Sequence, residues 1–205
     1  MKKLNLSLAT IFAMGTFAVA GGDIAPVEPV VEEPVVVEST GNFYLGLAYG
    51  YMSATEDYAS GAVTVNTVDE SFDDIMLQAG YNFNEYIAVE GRYWIGISDI
   101  TVGTYDVDLD AWGIYVKPQY PVTDAFNVYA LLGYGSAEFD APVASGINQD
   151  TMDGFSWGLG ASYAFTDNVS VFIDYVNIYD DTTDFTGYSL DDTIDSWNFG
   201  VTYNF

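Results

Sequence analysis

From residue 42 to the end of the chain, apolar side chains recur at every second position, in stretches separated by polar or glycine-containing segments. No stretch keeps the 3.6-residue period of an amphipathic helix for long, and no apolar run reaches the length of a transmembrane helix. A period of two places alternate side chains on opposite faces of a β-strand. The pattern predicts eight strands, near residues 42–52, 73–83, 86–98, 109–121, 126–137, 153–165, 168–179 and 193–205.

The connections between the predicted strands alternate in length. An even number of antiparallel strands joined in this way brings both chain ends to the side of the short turns. Pro118 has no N–H to donate to a neighbouring strand, so we expect a β-bulge near the short-turn rim. Short connections are predicted at 84–85, 122–125 and 166–167, and long ones near 53–72, 99–108, 138–152 and 180–192.

Each predicted strand has one uncharged face that is rich in large apolar side chains. In the last strand this face consists of Trp197, Phe199, Val201, Tyr203 and Phe205. The opposite faces are small or polar, whereas a soluble barrel has its large apolar side chains inside. A barrel with apolar side chains outside and polar ones inside suits a membrane, where hydrocarbon surrounds the outer face. A Lys or Arg that faces lipid at the midplane costs roughly 2–4 kcal/mol, so this face must be uncharged. The sequence therefore predicts an all-β fold, an eight-stranded antiparallel up-and-down transmembrane β-barrel over residues 42–205.

Aromatic residues cluster near the short-turn ends of the predicted strands. Tyr and Phe are enriched where a transmembrane barrel meets the membrane–water interface. We therefore predict an aromatic girdle at this end, formed by Phe43, Tyr81, Phe83, Tyr120, Phe126, Tyr163, Phe165, Tyr203 and Phe205.

Two segments precede the predicted barrel. A lysine pair at residues 2–3 comes before a largely apolar run with an A-x-A cleavage pattern at residues 18–20, which predicts a signal peptide over residues 1–20. A single transmembrane anchor is the alternative, although the apolar run has only about 16 residues and roughly 20 are needed. Residues 21–41 are rich in Pro, Val and Glu, which predicts an extended periplasmic linker or, alternatively, a docking peptide for a periplasmic partner.

The charge composition excludes several classes of function. The sequence has 30 acidic residues, 4 basic residues, no cysteine and no histidine. Two of the basic residues lie in the predicted signal peptide, which leaves Arg92 and Lys117. Nucleic acid is not an expected partner, because binding it requires cations that neutralise phosphates. Without Cys or His there are no disulfides, thiolate metal sites or Ser-His and Cys-His pairs, so we predict no cofactor and no enzymatic activity.

Four charged residues fall on the inward phase of the predicted strands: Glu90, Arg92, Lys117 and Asp174. Glu90 and Lys117 lie at similar heights on adjacent strands, and Arg92 can reach Asp174 across the lumen. In the structural interpretation, these ions neutralise one another and help to plug a narrow interior. In the functional interpretation, they gate a pore. Four aromatic residues share the predicted interior: Trp94, Tyr115, Tyr129 and Phe172.

The predicted long loops and the adjoining strand tips carry 20 of the 30 acidic residues. One interpretation is a set of solvated loops that repel one another. The other is weak binding of Ca²⁺ or Mg²⁺, which would bridge the loops to anionic lipopolysaccharide. The acidic run at 106–110 does not predict a calcium loop, because Ala111 stands at the glycine position of an EF-hand and Lys117 at its bidentate-acid position.

Taken together, the signal, the eight period-two segments and the alternating turns and loops resemble the small eight-stranded outer-membrane barrels of Gram-negative bacteria, of the OmpA, OmpX and opacity-protein type. The terminal Val201, Tyr203 and Phe205 resemble the C-terminal signal that the barrel-assembly machinery reads. The resemblance implies a monomer in the outer membrane, in contact with lipid and lipopolysaccharide, with both termini periplasmic.

The resemblance also implies a structural or surface-interaction role for a barrel with a largely plugged lumen. A small channel for ions or small apolar solutes is the alternative. Enzymes with related barrels use a histidine in the active site, and this sequence contains none. The resemblance therefore supports the prediction that the chain is not an enzyme.

Overall fold

The computed structural model of the protein describes residues 41–61, 63–98, 100–102, 105–140 and 151–205. The predicted signal peptide and the predicted linker lie outside the described residues, except for the last linker residue, Gly41. Within the described ranges, no helix is long and apolar enough to cross a membrane.

The described residues form nine β-strands: β1 (Asn42–Ser60), β2 (Val63–Asn84), β3 (Ile87–Gly96), β4 (Ile100–Val102), β5 (Tyr105–Pro121), β6 (Phe126–Asp140), β7 (Thr151–Ala164), β8 (Val169–Phe185) and β9 (Tyr188–Asn204). Eight of these strands form a closed antiparallel barrel, in which β1 pairs with β2 and β9, and β3 pairs with β5. The short strand β4 pairs with the beginning of β5. The predicted all-β, eight-stranded antiparallel barrel is therefore confirmed.

Two of the predicted long loops are strands, so that part of the prediction was wrong. The segment 53–72 continues β1 and β2 as a hairpin, and 180–192 continues β8 and β9 in the same way. A glycine with positive φ lies in each of the two tight turns, Gly61 at 63° and Gly187 at 98°. Both segments contain β-branched and aromatic residues, which favour strands despite the acidic pairs beside them.

The other two predicted loops are partly strand as well. The segment 99–108 contains β4 and the start of β5, and 138–152 contains the end of β6 and the start of β7. Residues 141–150 lie outside the described residues.

The large apolar side chains face outward, as predicted. On β9, Phe199 is 62% exposed, whereas the neighbouring Asn198 is 1% exposed. Both faces of β6 are fairly apolar in sequence, yet the structure distinguishes them, with Leu132 outside and Leu131 fully buried inside. The pleat of the strands thus produces the apolar outer band that a membrane-spanning barrel requires.

Aromatic rings at the short-turn end contact one another within and between strands. Phe43 of β1 lies 4.7 Å from Tyr81 of β2, measured between ring centroids. Farther around the barrel, Tyr163 and Phe165 are 5.3 Å apart. These contacts belong to residues of the predicted girdle, and they place it around the end where the short turns lie.

β5 has no bulge at Pro118 itself, but the register between β2 and β3 shifts near the short-turn rim, between Asn82 and Asn84, where Asn84 lies opposite Ile87 and Ile87 lies opposite Pro118. The register between β5 and β6 is the same on both sides of this residue, with Val116 opposite Leu132 and Gln119 opposite Tyr129. Residues 117 and 118 have no paired residue on β6 in this ladder. Pro118 therefore interrupts the pairing without inserting an extra residue.

The interior of the barrel has three layers along its axis. A layer of charged residues lies in the middle, and a cavity of about 410 Å³ lies at the short-turn end. The end with the long hairpins is closed by buried side chains that are mostly apolar. The large apolar ones with at most 1% exposure are Met52, Phe72, Met76, Trp94, Leu109, Leu131, Val176, Ile178 and Ile194.

Candidate functional site

The middle layer brings together the four charged residues that the sequence places in the lumen. Arg92 donates from Nε to Oε1 of Glu90 at 2.6 Å, and from Nη1 and Nη2 to the two oxygens of Asp174 at 3.0 and 2.7 Å. Lys117 Nζ donates to Oε2 of Glu90 at 2.8 Å. The formal charges of this group, which we call the lumenal charge cluster, sum to zero.

Uncharged polar side chains complete the hydrogen bonding of the two carboxylates. Tyr44 donates to Glu90. Tyr129 and Asn198 donate to Asp174 at 2.7 and 3.0 Å. A buried carboxylate needs such partners, because leaving one of its oxygens without a hydrogen bond costs on the order of 1–3 kcal/mol or more.

Aromatic rings cover the two basic side chains. Lys117 Nζ lies 4.1 Å from the ring centroid of Tyr129 and 5.2 Å from that of Tyr44. The guanidinium of Arg92 lies 6.0 Å from the ring centroid of Phe172. The cations are therefore stabilised both by carboxylates and by aromatic faces inside the barrel.

Glycines on neighbouring strands make room for these large side chains. A Cβ atom at position 80 would collide with the ring of Tyr44, and one at position 160 would collide with Tyr129 and Asp174. Gly80 lies directly across from Glu90, and Gly160 directly across from Asp174. The small inward residues noted in the sequence thus give the charge cluster its space.

The charge cluster separates the cavity from the apolar layers. The cavity is lined on its short-turn side by amide side chains that form a hydrogen-bonded row, and Lys117 lies at its inner end. In this row each amide donates to the next, in the order Asn127, Gln119, Asn82, Asn42 and Asn204.

One buried carboxylate lies among the layers toward the long hairpins. Asp74, the second residue of the predicted strand 73–83, faces inward with 0% exposure, and neither of its oxygens has a hydrogen-bond partner. It lies against Gly50, where a Cβ atom would collide with its carboxylate. Its chain neighbour Asp73 faces outward and accepts a hydrogen bond from Tyr49.

The two long hairpins form a single four-stranded sheet beyond the barrel rim, which we call the hairpin sheet (54–60 of β1, 63–70 of β2, 179–185 of β8 and 188–194 of β9). Ser60 Oγ donates to the carbonyl oxygen of Gly187 at 3.0 Å, which joins the two hairpins at their tips. Along β1 and β9 the pairing runs without interruption to Ala59 and Ser189. The sheet is therefore an ordered surface rather than two separate loops.

Three carboxylates form a row on one face of the hairpin sheet. Asp192 lies directly between Glu56 on β1 and Asp181 on β8. Direct cross-strand partners share a face, and like charges in such pairs are destabilising. Partial burial, together with the neighbouring Glu56, Asp181 and Asp191, raises the pKa of Asp192 above its ordinary value.

The same face carries an aromatic and aliphatic patch two to four residues farther along the strands. Tyr58 lies across from Leu190 and Val65, and Tyr188 lies across from Phe185. The rings of Tyr58 and Tyr188 stack at 5.1 Å, and those of Phe185 and Tyr188 at 4.7 Å. We call this side of the sheet the mouth face, because it continues the inward face of the barrel strands.

The opposite face of the hairpin sheet is also acidic but has hydroxyl side chains in place of aromatic ones. Asp57 lies across from Asp191, and Thr193 lies between Thr55 and Asp180. The two faces therefore have similar charge and different chemistry. Among the residues that the structure describes, no group of three or more acidic side chains is arranged to hold a metal ion.

The residues of the predicted assembly signal lie on the outer face of β9. Val201, Tyr203 and Phe205 are each about half exposed or more. The N–H of Phe205 donates to the carbonyl of Phe43 at 3.0 Å, so the last residue is still bonded to β1.

Sequence reasoning did not single out every partner in the charge cluster. Tyr44 and Asn198 have the inward phase of their strands, and that phase is the signal by which they could have been found. Which carboxylate each one reaches depends on side-chain lengths and on the glycines opposite, so it becomes visible only in the structure.

Comparison with known proteins agrees with the barrel fold. A family model described as the outer membrane protein beta-barrel domain matches residues 8–205. A search of curated proteins by sequence found no match. Among solved structures, the attachment invasion locus protein Ail of Yersinia pestis, in complex with the heparin analogue sucrose octasulfate, is 16% identical. It covers 80% of this chain and 99% of its own, with a TM-score of 0.51.

A second solved structure supports the same fold. The outer membrane protein OprG of Pseudomonas aeruginosa is 17% identical to this chain, with a TM-score of 0.52. The alignment covers 82% of this chain and 97% of OprG. At these identities the likeness concerns the fold alone.

Proposed function

The chain belongs to the outer membrane protein β-barrel family, and from this premise we propose that it is a non-enzymatic barrel with a filled lumen that acts at the cell surface through its hairpin sheet. In this proposal the short turns and both chain ends face the periplasm, and the hairpin sheet projects from the cell. The short turns at one end of the barrel and the long hairpins at the other support this orientation.

The observation that carries the filled lumen is the stack of buried side chains between the charge cluster and the hairpin end. Trp94, Phe72, Met76 and Met52 all have 0% exposure. Below them the lumenal charge cluster spans the interior, from Lys117 on β5 to Asp174 on β8. A barrel of eight strands has an interior just wide enough for side chains to fill.

A surface role is favoured by the contrast between the filled interior and the long, acidic hairpins. The hairpin sheet combines charge with exposed aromatic residues, which are typical of protein-binding surfaces. The sulfated ligand of Ail does not transfer to this chain, because the acidic hairpin sheet would repel a polyanion.

Two further parts of the proposal concern biogenesis and the membrane. We expect Val201, Tyr203 and Phe205 to engage the barrel-assembly machinery, since they lie exposed on the closing strand. We also expect a monomer in contact with lipid and lipopolysaccharide, with divalent cations bridging acidic side chains to the lipopolysaccharide.

A small channel is the second candidate, and the cavity at the short-turn end favours it. This cavity reaches Lys117, whose side chain is 10% exposed, whereas that of Glu90 is fully buried. A gate at this position would open by separating Lys117 from Glu90.

Planar-bilayer conductance of the refolded chain separates the two candidates. We expect no conductance steps from the wild type or from Lys117→Ala, because the apolar layers still fill the lumen. The triple variant Met76→Ala/Trp94→Ala/Lys117→Ala opens both the apolar layers and the charge layer and should produce steps, which checks the sensitivity of the assay. Steps in the wild type that change in Lys117→Ala would contradict the filled lumen and favour the channel. Slower migration of boiled than of unboiled samples in detergent gels serves as the folding control.

A further inference from the structure

The mouth face of the hairpin sheet presents two kinds of group to solvent. Its carboxylate row consists of Glu56, Asp181 and Asp192, and its patch includes Phe185 and Tyr188, which are 45% and 37% exposed. Val63 and Val65 on β2 are still more exposed, at 62% and 52%. Aromatic and aliphatic side chains exposed beside ordered charges mark an interaction surface.

We propose that the mouth face binds a basic, arginine-containing segment of a protein partner, which lies along the sheet above the barrel mouth. The inference rests on the proposed function, which places the hairpin sheet outside the cell. It adds the chemical class of the partner and the residues that recognise it.

Charge complementarity selects a basic partner. Three carboxylates lie side by side in the row, and among the residues that the structure describes the two basic side chains, Arg92 and Lys117, are bound in the lumenal charge cluster. Among the described residues, no group of three or more acidic side chains is arranged to hold a metal ion. Anionic lipid or a sulfated sugar would add like charge to the face.

The spacing of the groups fits arginine. Neighbouring strands lie about 4.8 Å apart, and two residues along a strand span about 7 Å. The carboxylate row is therefore about 7 Å from Tyr58, which lies two residues along β1 from Glu56 and stacks on Tyr188. One arginine side chain covers this distance with its guanidinium and its stem. A guanidinium can form a bidentate pair with a carboxylate and stack on a tyrosine ring, whereas an ammonium offers only a point charge.

The opposite face of the same sheet provides a matched control. Removing Asp57, Asp180 and Asp191 changes the net charge as much as removing Glu56, Asp181 and Asp192. Only the second set shares a face with the aromatic patch. A difference between the two triple variants therefore reports the face and not the overall charge.

The test uses the full chain, refolded in detergent micelles, and labelled oligo-arginine, oligo-lysine and oligo-serine peptides of equal length. We expect oligo-arginine to bind best and oligo-serine not to bind. The variant Glu56→Gln/Asp181→Asn/Asp192→Asn should weaken oligo-arginine binding by at least about tenfold, and the control variant Asp57→Asn/Asp180→Asn/Asp191→Asn by less than about threefold. Equal losses in the two triple variants would overturn the proposal, because binding would then depend on net charge alone.

The aromatic patch is tested separately with Tyr58→Ser/Tyr188→Ser. This variant should reduce the preference for oligo-arginine over oligo-lysine by at least about threefold, since stacking favours the guanidinium. An unchanged preference would overturn the role of the patch. Binding that requires added Ca²⁺ and disappears with a chelator would overturn the basic partner and assign the face to cation bridging.

The outcome is independent of the conductance experiment. Wild-type conductance with face-specific peptide binding would reject the filled lumen and keep this inference. A silent bilayer without face-specific binding would reject this inference and keep the filled lumen.

Discussion

In the barrel interior, the two carboxylates of the lumenal charge cluster each contact basic side chains within 3.0 Å, whereas the three carboxylates of the mouth face lie next to one another. Both regions are parts of the same continuous strands. Asp174 and Asp181 are both on β8, and Asn198 and Asp192 are both on β9. The difference therefore lies in the environment of each segment and not in the kind of secondary structure.

The comparison shows how the surroundings decide which charges a strand can carry. Within the membrane band, an unpaired ion has neither water nor counter-ions, so each carboxylate of the lumenal charge cluster has basic partners. Beyond the rim, water and salt screen the repulsion, and the strands tolerate like charges at a small cost. The charges of the lumenal charge cluster thus serve the fold, while the hairpin sheet concentrates like charges beyond the rim.

The largest expected effect comes from unbalancing the interior. Asp174→Ala removes both bonds from Arg92 Nη atoms and leaves Tyr129 and Asn198 without their acceptor. We expect the free energy of unfolding to fall by about 3–5 kcal/mol, the range for breaking one side of a buried ion pair. Urea titration of the refolded protein, followed by tryptophan fluorescence, measures the change.

The control for this variant lies on the same strand. Asp180→Ala removes a carboxylate from the outer side of the hairpin sheet, and we expect a change within about 0.5 kcal/mol. A similar loss in both variants would show that the interior does not differ from the hairpin sheet in its need for paired charges.

A smaller effect on stability is expected when the ion pair of Glu90 and Lys117 is removed, one residue at a time or both together. Glu90→Gln alone leaves Lys117 without its carboxylate, and Lys117→Met alone leaves Glu90 with Arg92 as its remaining basic partner. We expect each single variant to lose about 1–3 kcal/mol. The double variant keeps the interior neutral, with the Arg92–Asp174 pair intact. Its loss in the free energy of unfolding should be smaller than the sum of the two single losses by at least about 1 kcal/mol.

The same titration, carried out on all four members of the cycle, measures this coupling. Additive losses would mean that Glu90 and Lys117 act independently, although they lie 2.8 Å apart. That result would contradict the view that charge balance governs the interior.

The interior was more predictable from the sequence than the hairpin sheet, and the reason is physical. A period of two fixes which side of a strand a residue faces, and a closed barrel leaves Glu90, Arg92, Lys117 and Asp174 only the lumen. The outer face of the barrel is also predictable, because contact with lipid requires an apolar residue at every second position of each strand.

Beyond the rim that requirement ends, and the pattern weakens. The segments 53–72 and 180–192 were predicted as loops, and adjacent acidic residues interrupt the period of two in both, although β-branched and aromatic residues such as Tyr58, Val65 and Thr183 favour strands there. The row of Glu56, Asp192 and Asp181 depends on the register between distant segments, which a single sequence does not specify.

The smallest effect, and the one with the opposite sign, is expected on the mouth face. Asp192→Asn removes the central member of the carboxylate row, so the hairpin sheet should become more stable at neutral pH by about 0.5 kcal/mol. Amide hydrogen exchange of the hairpin residues of β1 and β9 measures this local stability. Asp180→Asn is the matched control, since Asp180 lies beside Thr193 and not within the row, and it should change exchange less.

The gain from Asp192→Asn should also depend on pH. Burial and the neighbouring acids raise the pKa of Asp192 in the folded protein, so the folded state binds this proton more tightly than the unfolded state does. The wild-type hairpin sheet should therefore become more stable as the pH falls through the raised pKa, toward the ordinary range of an aspartate. The Asn variant lacks this group, and its advantage over the wild type should shrink over the same interval. A constant advantage across the interval would mean that the charge of Asp192 does not oppose folding, and the contrast between the two regions would then rest on the interior alone.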